Sequence, residues 1–230
     1  MNITTARYPL LVTTLLTMGL QDAFGGLFWE DGFESTAPTM GGGTRSAPLH
    51  ANTDGSQCAE GNYFLRTSAA DDSVLGFTRV FTGKEGTYLW RTEDLEDCKG
   101  TPDRIEWTGI DINGRTGLII GGWFAARDTN IFEDTDIITL EWRIDGGAWA
   151  TGLSFSGNAV ISARLALNGA SPLLDQTLTA YTFSPGATGM TLDLRVVVDV
   201  ANASEEIAMD LFQVGDNGSL PVELQSFEIK

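Results

Sequence analysis

The stretch that most constrains this chain runs from Glu133 to Phe155, EDTDIITLEWRIDGGAWATGLSF. Ile138, Leu140, Trp142 and Ile144 alternate with Thr139, Glu141 and Arg143. That period of two marks a strand with one buried face and one wet face. Asp145-Gly146-Gly147 then supplies residues that tolerate positive φ, and Ala148, Trp149 and Leu153 begin a return strand. A hairpin at the middle of the chain commits its surroundings to β-sheet.

The rest of the chain extends that reading. Leu192 to Val200 alternates cleanly, with Leu192, Leu194, Val196, Val198 and Val200 on one face. Leu118 to Ala126 (LIIGGWFAA) is continuously apolar, which predicts a central strand covered on both faces. Further strands are predicted at LFWEDGFES from Leu27, at Asn62 to Thr67, at Phe77 to Phe81, from Tyr88 to Trp90, at Thr177 to Phe183 and at Glu206 to Val214. Ile105 to Ile112 also alternates, but neither face is purely apolar and its orientation stays open. Ala159 to Leu167 reads as a strand or as one helical turn. With 27 glycines for turns and no long amphipathic helix, the expected fold is all-β: one antiparallel β-sandwich of jelly-roll type over residues 26–216. Residues 217–230 read as a C-terminal linker or tail.

Residues 1–25 have the pattern of a signal peptide. Arg7 is a minimal positive start, Leu10 to Leu20 is a short apolar run, and Ala23-Phe24-Gly25 sets small residues for cleavage. The run is shorter than the about 20 residues a membrane span needs, so the expectation is an exported, extracellular or cell-surface protein that is not transmembrane. In that setting Cys58 and Cys98 are expected to form one disulfide, which would stabilise the fold by about 4 kcal/mol on a chain-entropy account.

The net charge of −17 argues against nucleic acid, whose phosphates are met by clustered Lys and Arg. The single histidine, His50, lies in a Gly/Pro-rich loop near Ser46 and Asp54, which does not make a triad. One His and two Cys leave no ordinary zinc site, and no phosphate-binding loop is present. No pair among 31 acids can be singled out as a glycosidase dyad, since that signature is a spatial separation. Whether the chain is an enzyme stays open, with the weight on a non-catalytic role.

Two candidate sites emerge. Calcium takes oxygen ligands, and Asp210 interrupts an apolar run between Met209 and Leu211, where a buried carboxylate needs a partner. Glu30, Asp31 and Glu34 cluster on the first strand and Asp54 follows in a loop; pairing of first and last strands would bring them toward Asp210. The plain alternative is a solvated edge with Asp210 facing outward. The second site is aromatic. Of Trp29, Trp90, Trp107, Trp123, Trp142 and Trp149, those at 107 and 149 lie beside turn sequences and are the candidates for stacking on a sugar; a core position is the plain alternative for each one separately.

The segments WEDGFES, GNYFLR, WTGIDINGRTGLIIGGWFAAR, FEDTDIITLEWRIDGGAW and LDLRVVVDVANASEEIAMDLFQV together resemble a jelly-roll module of secreted bacterial proteins, similar to MAM and concanavalin A-like sandwiches. The ending LPVELQSFEIK looks like the segment that Bacteroidota proteins carry before a type IX sorting domain. The resemblance implies a recognition or adhesion module that binds carbohydrate or a protein partner. It also implies a calcium ion held by acids of a first-strand DFE pattern and of the last strand. Here the pattern reads Asp31-Gly32-Phe33-Glu34, with an inserted glycine, and Asp210 is followed by Leu211. The expected metal ligands are Asp31, Glu34, Asp54 and Asp210, and the expected ligand-binding residues are Trp107 and Trp149. Two rival functions are an extracellular glycoside hydrolase on the same sandwich and a purely structural spacer.

Overall fold

The computed structural model describes residues 26–46, 63–68, 77–95, 103–157, 164–202 and 204–217. The predicted signal peptide, His50, Asp54, Cys58, Cys98 and the end of the tail lie outside them. Among the described residues there are twelve strands and no helix. They are β1 (Gly26–Asp31), β2 (Thr44–Arg45), β3 (Tyr63–Ser68), β4 (Tyr88–Glu93), β5 (Asp103–Asp111), β6 (Leu118–Ala126), β7 (Ile137–Ile144), β8 (Ala150–Ser156), β9 (Ala166–Leu167), β10 (Thr179–Phe183), β11 (Thr191–Asp199) and β12 (Ile207–Asp216).

These form two antiparallel sheets packed as a sandwich, the expected jelly-roll class. One sheet runs β10-β6-β12-β4-β3, with β1 also paired to β12; the other runs β2-β5-β11-β7-β8-β9. First and last strands do pair, from Gly26 opposite Asp216 to Asp31 opposite Phe212. β12 therefore has β6 along one side and, on the other, β4 for its first residues and β1 for its last. The predicted strand at Phe77 to Phe81 is not one. That segment instead lies over the outer face of the first sheet, where Phe81, Leu89, Ala125, Leu178 and Ala208 form a second apolar cluster. This cover explains why β6 and β12 carry apolar residues on both faces.

The main core lies between the sheets and is rich in rings. Trp107 and Phe212 have centroids 4.6 Å apart, Phe124 and Phe155 4.9 Å, and Trp29 meets Trp107 edge-on at 6.0 Å. The mixed faces of β5 resolve through a bulge. Leu192 pairs with Ile110 and Leu194 with Trp107, so β5 carries one extra residue, with Gly109 at φ 73°. The phase of alternation flips there, and Ile105, Trp107, Ile110 and Ile112 all point inward. The Asp193 carboxylate accepts the Gly109 N–H at 2.9 Å and holds the bulge. β12 does the same at Asp210-Leu211, where Leu211 sits at φ 45°; Ile207 and Met209 face the core before it, Phe212 and Val214 after it.

The predicted hairpin is β7 and β8. Asp145 and Gly146, at φ 50° and 68°, make the turn, and the Gly147 N–H donates to the Ile144 carbonyl at 2.9 Å. At the opposite end of this pair Gly157 packs on the turn that leads into β7. A Cβ at 157 would overlap the Glu133 carbonyl oxygen, which is backbone and cannot rotate away. Gly157→Ala is expected to cost about 1–3 kcal/mol in urea unfolding. Unchanged stability would show that this turn is not held in place.

Candidate functional site

The end of β1 and the bulge of β12 bring several acids together. Asp210 is fully buried; its Oδ2 accepts the Glu85 N–H and its Oδ1 the Leu211 N–H, both at 2.8 Å. Glu34 Oε1 accepts the N–H groups of Thr87 and Tyr88 at 2.9 and 2.8 Å. Glu85 reaches into the same space. A Cβ on Gly32 would lie 2.9 Å from Glu85 Oε2, and one on Gly86 would lie 2.5 Å from Glu34 Oε1, so both glycines leave room for the carboxylates. Burial pushes the Asp210 carboxyl up to about 8; the two amides oppose this, and the charges of Glu85 and Glu34 add to it. Glu85 is raised too, first by burial and then by Glu30 and Glu34.

Glu34 and Glu85 thus lie near enough for their charges to act on Asp210; the sequence named Glu34 and Asp210 but not Glu85. Asp31 is engaged by other groups. Its buried carboxylate takes Arg45 Nη1 at 2.6 Å, Trp107 Nε1 at 2.7 Å and the Phe33 N–H at 3.0 Å, so the Arg45 guanidinium already supplies its counter-charge. Its expected role as a metal ligand is corrected to that of a core anchor. Asp31 is buried at the end of β1, whereas Glu34 lies beyond the strand and reaches the Thr87 and Tyr88 amides. Trp107 is corrected as well. It is fully buried against Phe33, Phe212 and Trp29, and no part of it is free to meet a ligand.

Trp149 is placed differently. It lies in the short excursion between the Asp145-Gly146 turn and β8, half-buried on the outer face of the second sheet. The Arg143 and Arg195 guanidinium carbons lie 4.4 and 4.3 Å from its ring centroid. Each arginine is itself pinned: Arg143 Nε donates to Asp193 Oδ2 at 2.8 Å, and Arg195 Nε to Glu141 Oε2 at 2.5 Å. Register explains the arrangement, since Asp193 lies opposite Arg143 and Arg195 opposite Glu141. The turn is tied to β11 through Asp145 Oδ1, which accepts the Thr191 and Met190 N–H groups at 2.8 and 3.0 Å; these bonds hold its carboxyl below the usual range. The result is a half-buried indole stacked with two ion-paired arginines on a polar sheet face. Arg143, Glu141, Asp193 and Arg195 were not singled out in the sequence, because only the strand register reveals that they alternate in sign around one ring.

No family model matches the chain, and no curated protein does. Among solved structures it is similar to the K2 cleaved adhesin domain of Lys-gingipain, at 13% identity and a TM-score of 0.47, over 82% of this chain and 98% of that one. It is similar to the CBM22-1 xylan-binding domain of Paenibacillus barcinonensis Xyn10C at 13% identity and a TM-score of 0.41, over 83% and 95%. It is also similar to TmCBM61, solved in complex with β-1,4-galactotriose, at 12% identity and a TM-score of 0.40, over 66% and 81%.

Proposed function

We propose that the protein is an exported, non-catalytic recognition module that binds carbohydrate on the outer face of its second sheet. The observation that carries this reading is Trp149, a half-buried indole with two guanidinium groups over its ring, each bonded to a carboxylate. An aromatic face stacks on the C–H face of a sugar ring, and neighbouring Asp, Glu and Arg groups meet its hydroxyls. Holding the ring in place beforehand reduces the ordering cost of binding.

The reading includes a structural calcium ion at the rim of the first sheet. Glu34, Glu85 and Asp210 supply only oxygen donors, as calcium requires, and Asp210 is a buried carboxylate with no ion-pair partner among the described residues. Bound there, calcium would supply positive charge that ties the β12 bulge to the loops at 34 and 85. The Cys58–Cys98 disulfide and the leader belong to the same exported reading.

A glycan-array screen of the full chain, with calcium and with EDTA, tests the proposal. Trp149→Ala is expected to weaken binding to any positive glycan by about 10-fold or more, as for truncated aromatic anchors elsewhere. A variant that binds as tightly as wild type would remove the platform from the reading. An assay for sugar release on the bound glycans separates binding from the rival hydrolase.

A further inference from the structure

At the pole opposite the Asp145-Gly146 turn, two loops bring three carboxylates together. The turn before β7 contributes Glu133 and Asp136, and the turn after β11 contributes Glu205. These loops are neighbours because β7 and β11 are, their pairing ending at Ile137 opposite Asp199. One carboxylate oxygen from each acid lies within 4.8 Å of one from each of the others. Two oxygens bound to one ion at about 2.4 Å can be up to that far apart, and about 2.3–2.6 Å is the calcium–oxygen distance.

Clustered acids on a surface would mean little. Here a separate observation concerns how these groups are buried and what they lack. Asp136 is 1% exposed and Glu205 is fully buried. Neither makes an ion pair among the described residues. Among the described residues the backbone donor to Asp136 is the Glu133 N–H, at 2.5 Å on Oδ2, and no cationic side chain reaches the carboxylate. Glu205 is held by amides: the Ala201 and Asn202 N–H groups donate to Oε2 at 2.8 Å each, and Asn202 Nδ2 to Oε1 at 3.0 Å. Asn202 Nδ2 also lies 3.3 Å from both Glu133 oxygens. The nearby arginine, Arg127, sends its Nη1 to the Ser204 carbonyl at 3.0 Å and not to the acids. Burying a carboxylate without a cation or a full set of donors is expensive, and buried charges are characteristically paired or bound to metal.

We infer that Glu133, Asp136 and Glu205 form a calcium-binding site at this pole, separate from the Glu34–Asp210 rim. The donor set decides the ion class: three carboxylates and no His or Cys suit a hard cation, and flexible loop ligands suit calcium better than the small, strictly octahedral magnesium. Bound there, the ion joins the entry to β7 to the exit of β11 and neutralises the mutual repulsion of the acids. Consistent with this, burial raises the carboxyls of Asp136 and Glu205 well above their ordinary values, with the neighbouring acids raising them further.

The test is calcium titration by calorimetry on the full chain, stripped with EDTA and desalted, at pH 7.5. Asp136→Asn is expected to lose one equivalent of bound calcium. Glu133→Gln, which changes only a half-buried rim ligand and should fold normally, is expected to weaken one equivalent by at least about 10-fold. Asp210→Asn reports on the other site and should leave this equivalent intact, so failure of one site is distinguishable from failure of the other. The inference is overturned if Asp136→Asn and Glu133→Gln bind as many equivalents as wild type with the same affinities. It is equally overturned if the stripped wild-type chain takes up no calcium at millimolar concentration.

Discussion

Arg91→Ala is expected to destabilise the protein by about 3–5 kcal/mol, the cost of leaving one member of a buried ion pair alone. Arg91 and Glu206 are both fully buried, with Nη2 to Oε2 at 2.5 Å. Glu206 also accepts the Thr78 and Arg79 N–H groups at 3.1 Å, so the pair fastens the 77–82 segment over the first sheet. Phe77 and Phe81 stack over the same guanidinium, at 3.8 and 5.0 Å. Removing the arginine strands Glu206 in the apolar cover and also withdraws a charge that partly offsets the rise burial imposes on the neighbouring Glu93 carboxyl. Urea unfolding measures the loss. The double variant Arg91→Met, Glu206→Leu should recover most of it, because the expense lies in the unpaired charge and not in the absent pair. A single-variant cost under about 1 kcal/mol would mean that water reaches Glu206 and the cover is loose.

The metal-free protein is expected to lose stability as pH rises from 5 to 8, opposite to the trend of proteins whose carboxylates are salt-bridged. Asp210 and Glu93 are both pushed up to about 8, mainly by burial. A carboxyl whose pKa is higher folded than unfolded binds a proton more tightly in the native state. Its stabilising contribution is therefore complete below the unfolded value near 4 and declines as pH climbs through the folded value. The ceiling is roughly 1.4 kcal/mol per pH unit for each such group. A chain of this size shifts in Tm by about 2–4 °C per kcal/mol, so thermal melts in EDTA at pH 5.5 and 7.5 should differ by several degrees. Calcium should restore the loss at pH 7.5, and Asp210→Asn should flatten the slope. A flat profile in EDTA would mean that the buried acids stay ionised against some other cation.

Much of the architecture was legible in the sequence, where alternation survives in one phase. β7, β8, β11 and the apolar β6 were all foreseen, and the Asp145-Gly146 turn sits where the hairpin predicted. The strand at Phe77 to Phe81 was misread because apolar residues that cover a sheet from outside look, one by one, like residues within it. Trp107 was singled out for lying beside a turn sequence, but its strand changes phase at Gly109 and carries the ring into the core. Asp31 was misread because only the fold sets Arg45 beside it.

The sequence by itself determined the class of fold and the central hairpin, and it named Glu34, Asp210 and Trp149 as candidates. These depend on short-range periodicity, turn chemistry and the high cost of burying a lone charge. Only the tertiary structure decided which acids share a space: Glu85 with Asp210, Glu206 with Arg91, and Glu133 and Asp136 with Glu205. It also decided which tryptophan reaches the surface. Those outcomes rest on strand register and on bulges, and a register shift of one residue moves a side chain to the opposite face without altering the local sequence.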